Sequence, residues 1–175
     1  MDINSGRVVQ KNILKRLNDN AKENLIAAVL QDETENEPAS LNMMLDGISN
    51  NGDEPLCEIM FLPLLKEHKY HTFLVSIIVS DEIDVDASSE LIAAITLLNS
   101  YITIGGFSFS PMEKMLIYKN TAVFDEKMTE DQLYEHAQFY ISNAFAIVDS
   151  FCNVLVEIAE GKSTIQDLAV LLENE

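Results

Sequence analysis

The chain has 175 residues, 47% of them hydrophobic, with a formal net charge of −18 and an isoelectric point of about 4.3. That length suits one domain, the apolar content argues against wholesale disorder, and the acidity repels phosphate backbones, so nucleic acid is not an expected partner. The densest apolar runs, Ile59 to Leu65 and Phe73 to Val79, fall far short of the roughly 20 residues that span a bilayer, and the N-terminus lacks an apolar run with a small-residue cleavage site, which predicts a cytoplasmic protein with no membrane partner.

Charge is unevenly spread. Residues 1–22 hold five bases (Arg7, Lys11, Lys15, Arg16 and Lys22) against Asp2 and Asp19, while the rest of the chain holds 27 acids against six bases. An acidic body of this kind attracts basic partners, its own first segment among them. The two cysteines, Cys57 and Cys152, are too few for a disulfide framework and fall in a predicted strand and a predicted helix, where buried free thiols are expected.

In chain order, residues 7–31 read as helical, with Val8, Val9, Ile13, Leu14 and Leu17 forming a stripe, a break allowed at Asn18-Asp19-Asn20, and a second apolar stretch from Leu25 to Leu30. Residues 31–40, QDETENEPAS, read as a solvated acidic linker. Residues 1–40 are therefore expected as an N-terminal helical segment with its linker, ahead of an α+β domain over 41–175. Three strands follow, over 41–48, 56–62 and 70–80. They form an antiparallel meander with turn residues at Asn50-Asn51-Gly52-Asp53 and a stop at Pro63. In the third strand Phe73, Val75, Ile77 and Val79 alternate with Leu74 and Ile78. An acidic loop, DEIDVD over 81–86, leads to a helix at about 87–101, with Asp86 or Ser88 as N-cap and Leu91, Ala94, Ile95, Leu98 and Ile102 on one face. Gly105 and Gly106 end that passage. A hairpin comes next, with Phe107 and Phe109 in its first arm, Ser110-Pro111-Met112-Glu113 as its turn and 114–123 as its return strand.

The long C-terminal helix has a capping box at Thr129 and Gln132, a staple of Met128 and Leu133, and Gly161 as its C′ residue. A second box, Ser163 and Gln166, is expected to start a short final helix ending at Leu172. Leu133, Ala137, Tyr140, Ala144, Ile147, Phe151, Val154 and Ile158 form one apolar stripe, and Ile141, Phe145, Val148, Cys152, Leu155 and Ala159 form another beside it. Thirty-odd residues at 1.5 Å each make a helix of about 45 Å, long for a domain whose radius of gyration is about 16 Å. A bend near Asp149-Ser150, cover from other helices of the chain, or a second subunit would answer that excess. The reading adopted is a homodimer, with Tyr140, Ile147, Phe151, Val154 and Ile158 as its candidate contact.

The order is thus helix, three strands, helix, two strands, long helix: an α+β fold with an antiparallel sheet backed by helices. From about Phe73 to Ile158, roughly half the chain, the passages SDEID, ELIAAITLLNSYITIGGFSFSP, MLIYKNTAVF and MTEDQLYEHAQFYISNAFAIVDSF resemble the type III secretion chaperone-like fold, and within it the YbjN-like (sensory transduction regulator) group of bacterial proteins. The resemblance implies a small, acidic, cytosolic, dimeric protein. Secretion chaperones of this fold hold an extended client segment on exposed apolar patches, and the group brings no catalytic residues to carry over. The long N-terminal segment and the extra C-terminal helix depart from it.

Candidate chemistry is sparse. Asp81, Glu82, Asp84 and Asp86 lack the glycine and terminal glutamate of a calcium loop. His68, His71 and His136 share no helical face, so no metal is expected. Gly105-Gly106 precedes a strand rather than a helix and is not a phosphate loop. No nucleophile elbow is present, and neither a cofactor nor an enzyme activity is expected. The function expected is a non-catalytic protein-binding module, chaperone-like or regulatory, that takes a basic or extended partner segment. Met60, Phe107, Phe109, Met115 and Phe124 are its candidate partner-binding residues. The alternative is a DNA-mimic inhibitor, with acids in rows on one face, and a small-ligand binder or enzyme stands behind that.

Overall fold

The computed structural model describes residues 3–35, 37–48, 54–63, 70–83 and 88–173. The elements run α1 (Ile3–Glu23), β1 (Ala28–Gln31), β2 (Ser40–Met44), β3 (Leu56–Phe61), β4 (Tyr70–Ser80), α2 (Ser88–Asn99), β5 (Gly106–Ser110), β6 (Met115–Asp125), α3 (Glu130–Ala159) and α4 (Ile165–Glu173). The fold is α+β: a six-stranded antiparallel sheet in the order β1-β2-β3-β4-β6-β5, with four helices. The expected meander and hairpin are both present. The meander gains a fourth strand at its start, and the hairpin joins it through β6 on β4.

The structure corrects the sequence reading at residues 28–31, which form β1 rather than continuing the first helix. That helix runs unbroken through Asn18-Asp19-Asn20 and ends at Glu23. It ends because Leu25 takes a left-handed backbone, φ 62°, while Ile26 N donates to Ala21 O (2.9 Å) and Leu25 N to Lys22 O (3.1 Å). This is the exit usually made with glycine. The four residues that follow pair with β2, Val29 opposite Asn42 and Leu30 opposite Leu41. A run as short and apolar as AVL carries no periodicity of its own, so the pairing partner decides its state. The N-terminal segment therefore shares the sheet with the rest of the chain, and α1 packs on β1, β2, β3 and α3.

The attraction of the basic first segment for the acidic body takes definite form. Arg7 pairs with Glu33 (3.3 Å), Lys11 with Asp32, and Arg16 with Asp131 (2.9 Å) while its guanidinium stacks 4.1 Å from the Tyr134 ring. These are surface contacts, which fix geometry more than they add stability.

At α3 the capping box is formed: Gln132 N donates to Thr129 Oγ1 (3.3 Å) and Thr129 N donates to Gln132 Oε1 (2.9 Å). Gly161, φ 69°, closes the helix as expected. The second box is shifted by one residue from the expected Ser163 and Gln166. Thr164 and Asp167 make it, with Thr164 N donating to the Asp167 carboxylate (2.8 Å) and Asp167 N to Thr164 Oγ1 (3.4 Å). A carboxylate accepts more strongly than a side-chain amide at a helix start, which favours this register. The Thr164 hydroxyl, which also donates to this carboxylate (2.7 Å), together with the Thr164 N–H and the Ser163 hydroxyl holds the Asp167 carboxyl below its ordinary range.

The two apolar stripes of α3 are largely covered from within. Sheet strands β4 and β6 take one side, and α1 and α2 pack on the helix as well. Phe151, Ile158, Val148, Leu155 and Ala159 are all buried. An 18-residue window of α3 has a mean hydropathy of 1.5 and would pass as a membrane span by length and composition. The contiguous-run criterion misses it because polar residues interrupt it. Here that helix is the spine of the core.

Leu25 is 93% exposed, so its side chain makes little of the contact that would offset its strained backbone. Replacing Leu25 with glycine is expected to raise the unfolding free energy by about 0.5–1 kcal/mol, read from the urea midpoint, because glycine adopts this conformation without a steric penalty. An unchanged or lower midpoint would mean that the leucine has a packing role the fold does not display.

Candidate functional site

Strand alternation gives the sheet two unlike faces. His71, Phe73, Val75, Ile77 and Val79 of β4 point into the core with Cys57, Ile59 and Phe61 of β3 and Leu116, Tyr118 and Phe124 of β6, and all are buried. The apolar ones form a single cluster with residues from all four helices. The other face carries Thr72, Leu74, Ser76, Ile78 and Ser80 of β4, Leu56, Glu58 and Met60 of β3, Asn42 and Met44 of β2, and Ile117, Lys119, Thr121 and Val123 of β6. None of its apolar side chains joins the core cluster that holds the helix residues.

The register lines these side chains into rungs. Met44 stands opposite Leu56, Leu56 opposite Ile78, and Ile78 opposite Ile117, an apolar row four strands wide that is exposed at Met44 and Leu56, half-buried at Ile78 and buried at Ile117. The next rung is polar: Asn42, Glu58, Ser76 and Lys119. The one after places Met60 opposite Leu74 and Leu74 opposite Thr121. Met44 and Leu56 are 43% and 41% exposed, and Val29 and Val123 more so. This apolar strip on an otherwise acidic chain is the largest departure from a polar outer face among the described residues.

Of the candidate partner-binding residues, Met60 and Met115 fall on this open face. Phe107, Phe109 and Phe124 do not, and the structure corrects them. Phe107 and Phe124 are buried at 3% and 2%, and Phe109 is packed on the same core. Phe124 lies 5.7 Å from Phe73 and 5.8 Å from Tyr140, and Phe107 lies edge-on to Tyr118 at 5.2 Å. Serine–phenylalanine alternation set the pitch of β5 without saying which face was inward. Among the candidate dimer residues, Phe151 and Ile158 are interior to the chain, because α1 and α2 pack on α3. Tyr140, Ile147 and Val154 are half-buried against the core. Sequence reasoning missed Met44, Leu56, Leu74, Ile78 and Ile117 as a surface. The available signal was β4 itself, apolar at Leu74 and Ile78 on the face opposite its core residues.

The two sheet edges differ. In β5, Phe107 N donates to Asn99 Oδ1 and Asn99 Nδ2 donates to Phe107 O, both at 2.9 Å, so a side chain from the end of α2 occupies the place of a neighbouring strand. Gly106 makes room for it, and Gly105 for the Tyr118 side chain. A Cβ on Gly106 would sit 3.1 Å from Asn99 Oδ1, and one on Gly105, φ 77°, would overlap the Tyr118 hydroxyl. That hydroxyl donates to Ile104 O (2.8 Å), and burial pushes its pKa up to about 12. At the other edge, Met44 N donates to Ala27 O (3.0 Å), a bond that by antiparallel alternation turns the backbone groups of Ala28 and Leu30 outward from β1. Only four residues long, β1 offers little to an added strand.

The titratable groups do not converge. His71 is buried, with Gln10 Nε2 donating to its Nδ1 (3.1 Å), and burial holds its pKa below the usual histidine range against the pull of Glu126. His136 is exposed, its ring 5.9 Å from Phe124. His68, Asp84 and Asp86 lie outside the described residues, while Asp81 and Glu82 are exposed. Cys57 and Cys152 are buried free thiols, as expected, and burial raises both pKa values, that of Cys152 to about 11. Among the described residues no group of three or more His, Cys, Asp or Glu could hold a metal. A hollow of about 520 Å³ beside α1 is lined in part by Arg7, Lys11, Asp32 and Glu33, which pair as Arg7–Glu33 and Lys11–Asp32, together with Glu35 and Glu37. No family model matches the chain, and no curated protein matches it.

Two predictions follow from this geometry. Asn99→Ala would leave the Phe107 amide and carbonyl unpartnered and is expected to lower stability by about 1–3 kcal/mol in urea titration. A loss below about 0.5 kcal/mol would show that water replaces the side chain freely. For His71, the unfolded imidazole takes a proton near pH ~6.5 and the folded one only at lower pH. The unfolded chain therefore binds more protons in between, and stability is lost as pH falls from neutrality through that window. Urea midpoints measured from pH 7.5 to 5 should fall for the wild type relative to His71→Gln, and parallel curves would contradict a neutral buried ring.

Proposed function

We propose that the chain is a non-catalytic protein-binding module, chaperone-like or regulatory, that holds a partner polypeptide on the open face of its sheet. The observation that carries this reading is the two-sided apolar character of β4, combined with helices on one side alone. A central strand with Leu74 and Ile78 turned away from the helices places a greasy strip where a polar one would keep the chain soluble by itself. Protein surfaces have the flatness and extent to cover such a strip, whereas small ligands bind in concave, enclosed sites.

The dispersed histidines and cysteines favour binding over catalysis. Buried, unreactive thiols suit a reducing cytoplasmic setting. The resemblance of residues 73–158 to the secretion-chaperone-like fold points toward the same class of activity. The net charge of −18 opposes docking of a second copy and favours a partner of different charge.

Replacing Leu56 and Ile78 with aspartate tests the reading, with Val170→Asp on the exposed side of α4 as control. Affinity capture from native extract, quantified against wild type, should lose at least one protein with the face variant and keep it with the control. Identical captured sets from all three baits, each folded by circular dichroism, would defeat the proposal.

A further inference from the structure

The apolar rung of the open face has a neighbour that alternation within the strands does not reveal. Met44, Leu56 and Ile78 stand side by side at one end of β2, β3 and β4. Beyond that same end the chain places Asp46 after β2, Glu54 before β3, and Asp81 and Glu82 after β4, all exposed. Antiparallel order brings segments far apart in sequence to one margin, so an acidic row borders the apolar row. Lys114, whose carbonyl accepts from Ile83 N (3.0 Å), stands at this margin as its base.

We infer that the occupant of this face is a basic polypeptide segment, lying along the Met44–Leu56–Ile78 part of the rung with lysine or arginine side chains over the acidic margin. The inference rests on the docking reading above and names the chemistry of the partner. The two rows do separate jobs. Carboxylates at a solvated margin speed encounter and reject acidic chains, while the desolvated apolar row supplies most of the retention. A second copy of this chain is a poor fit, because its own margin carries the same sign. A DNA mimic would also receive a basic protein, but it would have no use for the apolar row.

Three fluorescein-labelled synthetic peptides of one length probe this directly: one alternating leucine with lysine, one leucine with glutamate, and one serine with lysine. Anisotropy titrations compare the wild type with a rung variant (Leu56→Ser, Ile78→Ser) and a margin variant (Asp46→Asn, Glu54→Gln, Asp81→Asn, Glu82→Gln). A control neutralises four exposed acids on the helix side: Glu135→Gln, Asp149→Asn, Glu157→Gln and Glu173→Gln. The leucine–lysine peptide is expected to bind best. The rung and margin variants should each weaken it at least about tenfold, and the control less than about threefold. Equal weakening by control and margin variants would reduce the effect to net charge and overturn the inference. So would binding that the rung variant leaves intact, or light scattering in which wild type dimerises and the rung variant does not. If the leucine–glutamate peptide binds as tightly and depends on the rung, the basic partner is refuted while the docking reading stands.

Discussion

A six-stranded sheet has two faces to cover, and the helices described here lie on one of them. Everything else in the molecule is arranged around that asymmetry. The central strand β4 is apolar on both sides, so one set of its side chains is sealed beneath α3 while the other, half-buried, lies on the far face. A sheet buried on both sides reads as a continuous apolar run, and a sheet with one wet side reads as clean alternation. This chain lies between them: its outer face mixes leucine, isoleucine and methionine with serine, threonine and one central ion-capable pair, Glu58 and Lys119. The mixture keeps the surface wettable while leaving it worth covering.

The long helix plays a different part from the one its width suggested. Two adjoining stripes gave it more apolar surface than a sheet face requires, and a second subunit was the natural way to use the surplus. Within the fold the surplus is absorbed by α1 and α2 packing on α3, with α4 closing against α2. Phe151 and Ile158 are interior for that reason. The proposed binding reading therefore stands on residues of the far side of the sheet rather than on the helix that first motivated it.

The ends of the sheet are handled with equal specificity. At β5 the Asn99 amide imitates an adjacent strand, Gly106 leaves room for that amide, and Gly105 leaves room for the Tyr118 hydroxyl of β6. A blocked edge on one side and a four-residue strand on the other leave the open face, rather than strand addition, as the larger opportunity for contact. In the proposed docking of a partner, the acidic margin at the rung end would supply its direction.

The sequence by itself determined the element types wherever local chemistry is strong: the β-branched alternation of β4, the capping box at Thr129, the glycine exit at Gly161, and the fate of two cysteines set in apolar periods. Each signal is carried by residues within a few positions of one another, so it is readable without the fold. Only the tertiary structure decided that Ala28–Gln31 is a strand, that Thr164 rather than Ser163 caps α4, that Phe107 and Phe124 face inward, and that Met44, Leu56, Ile78 and Ile117 form one row. Those outcomes depend on which strand lies beside which and on which side the helices settle. Such facts arise from pairing across tens of residues, and a period of two in one strand is the same whichever face becomes the core.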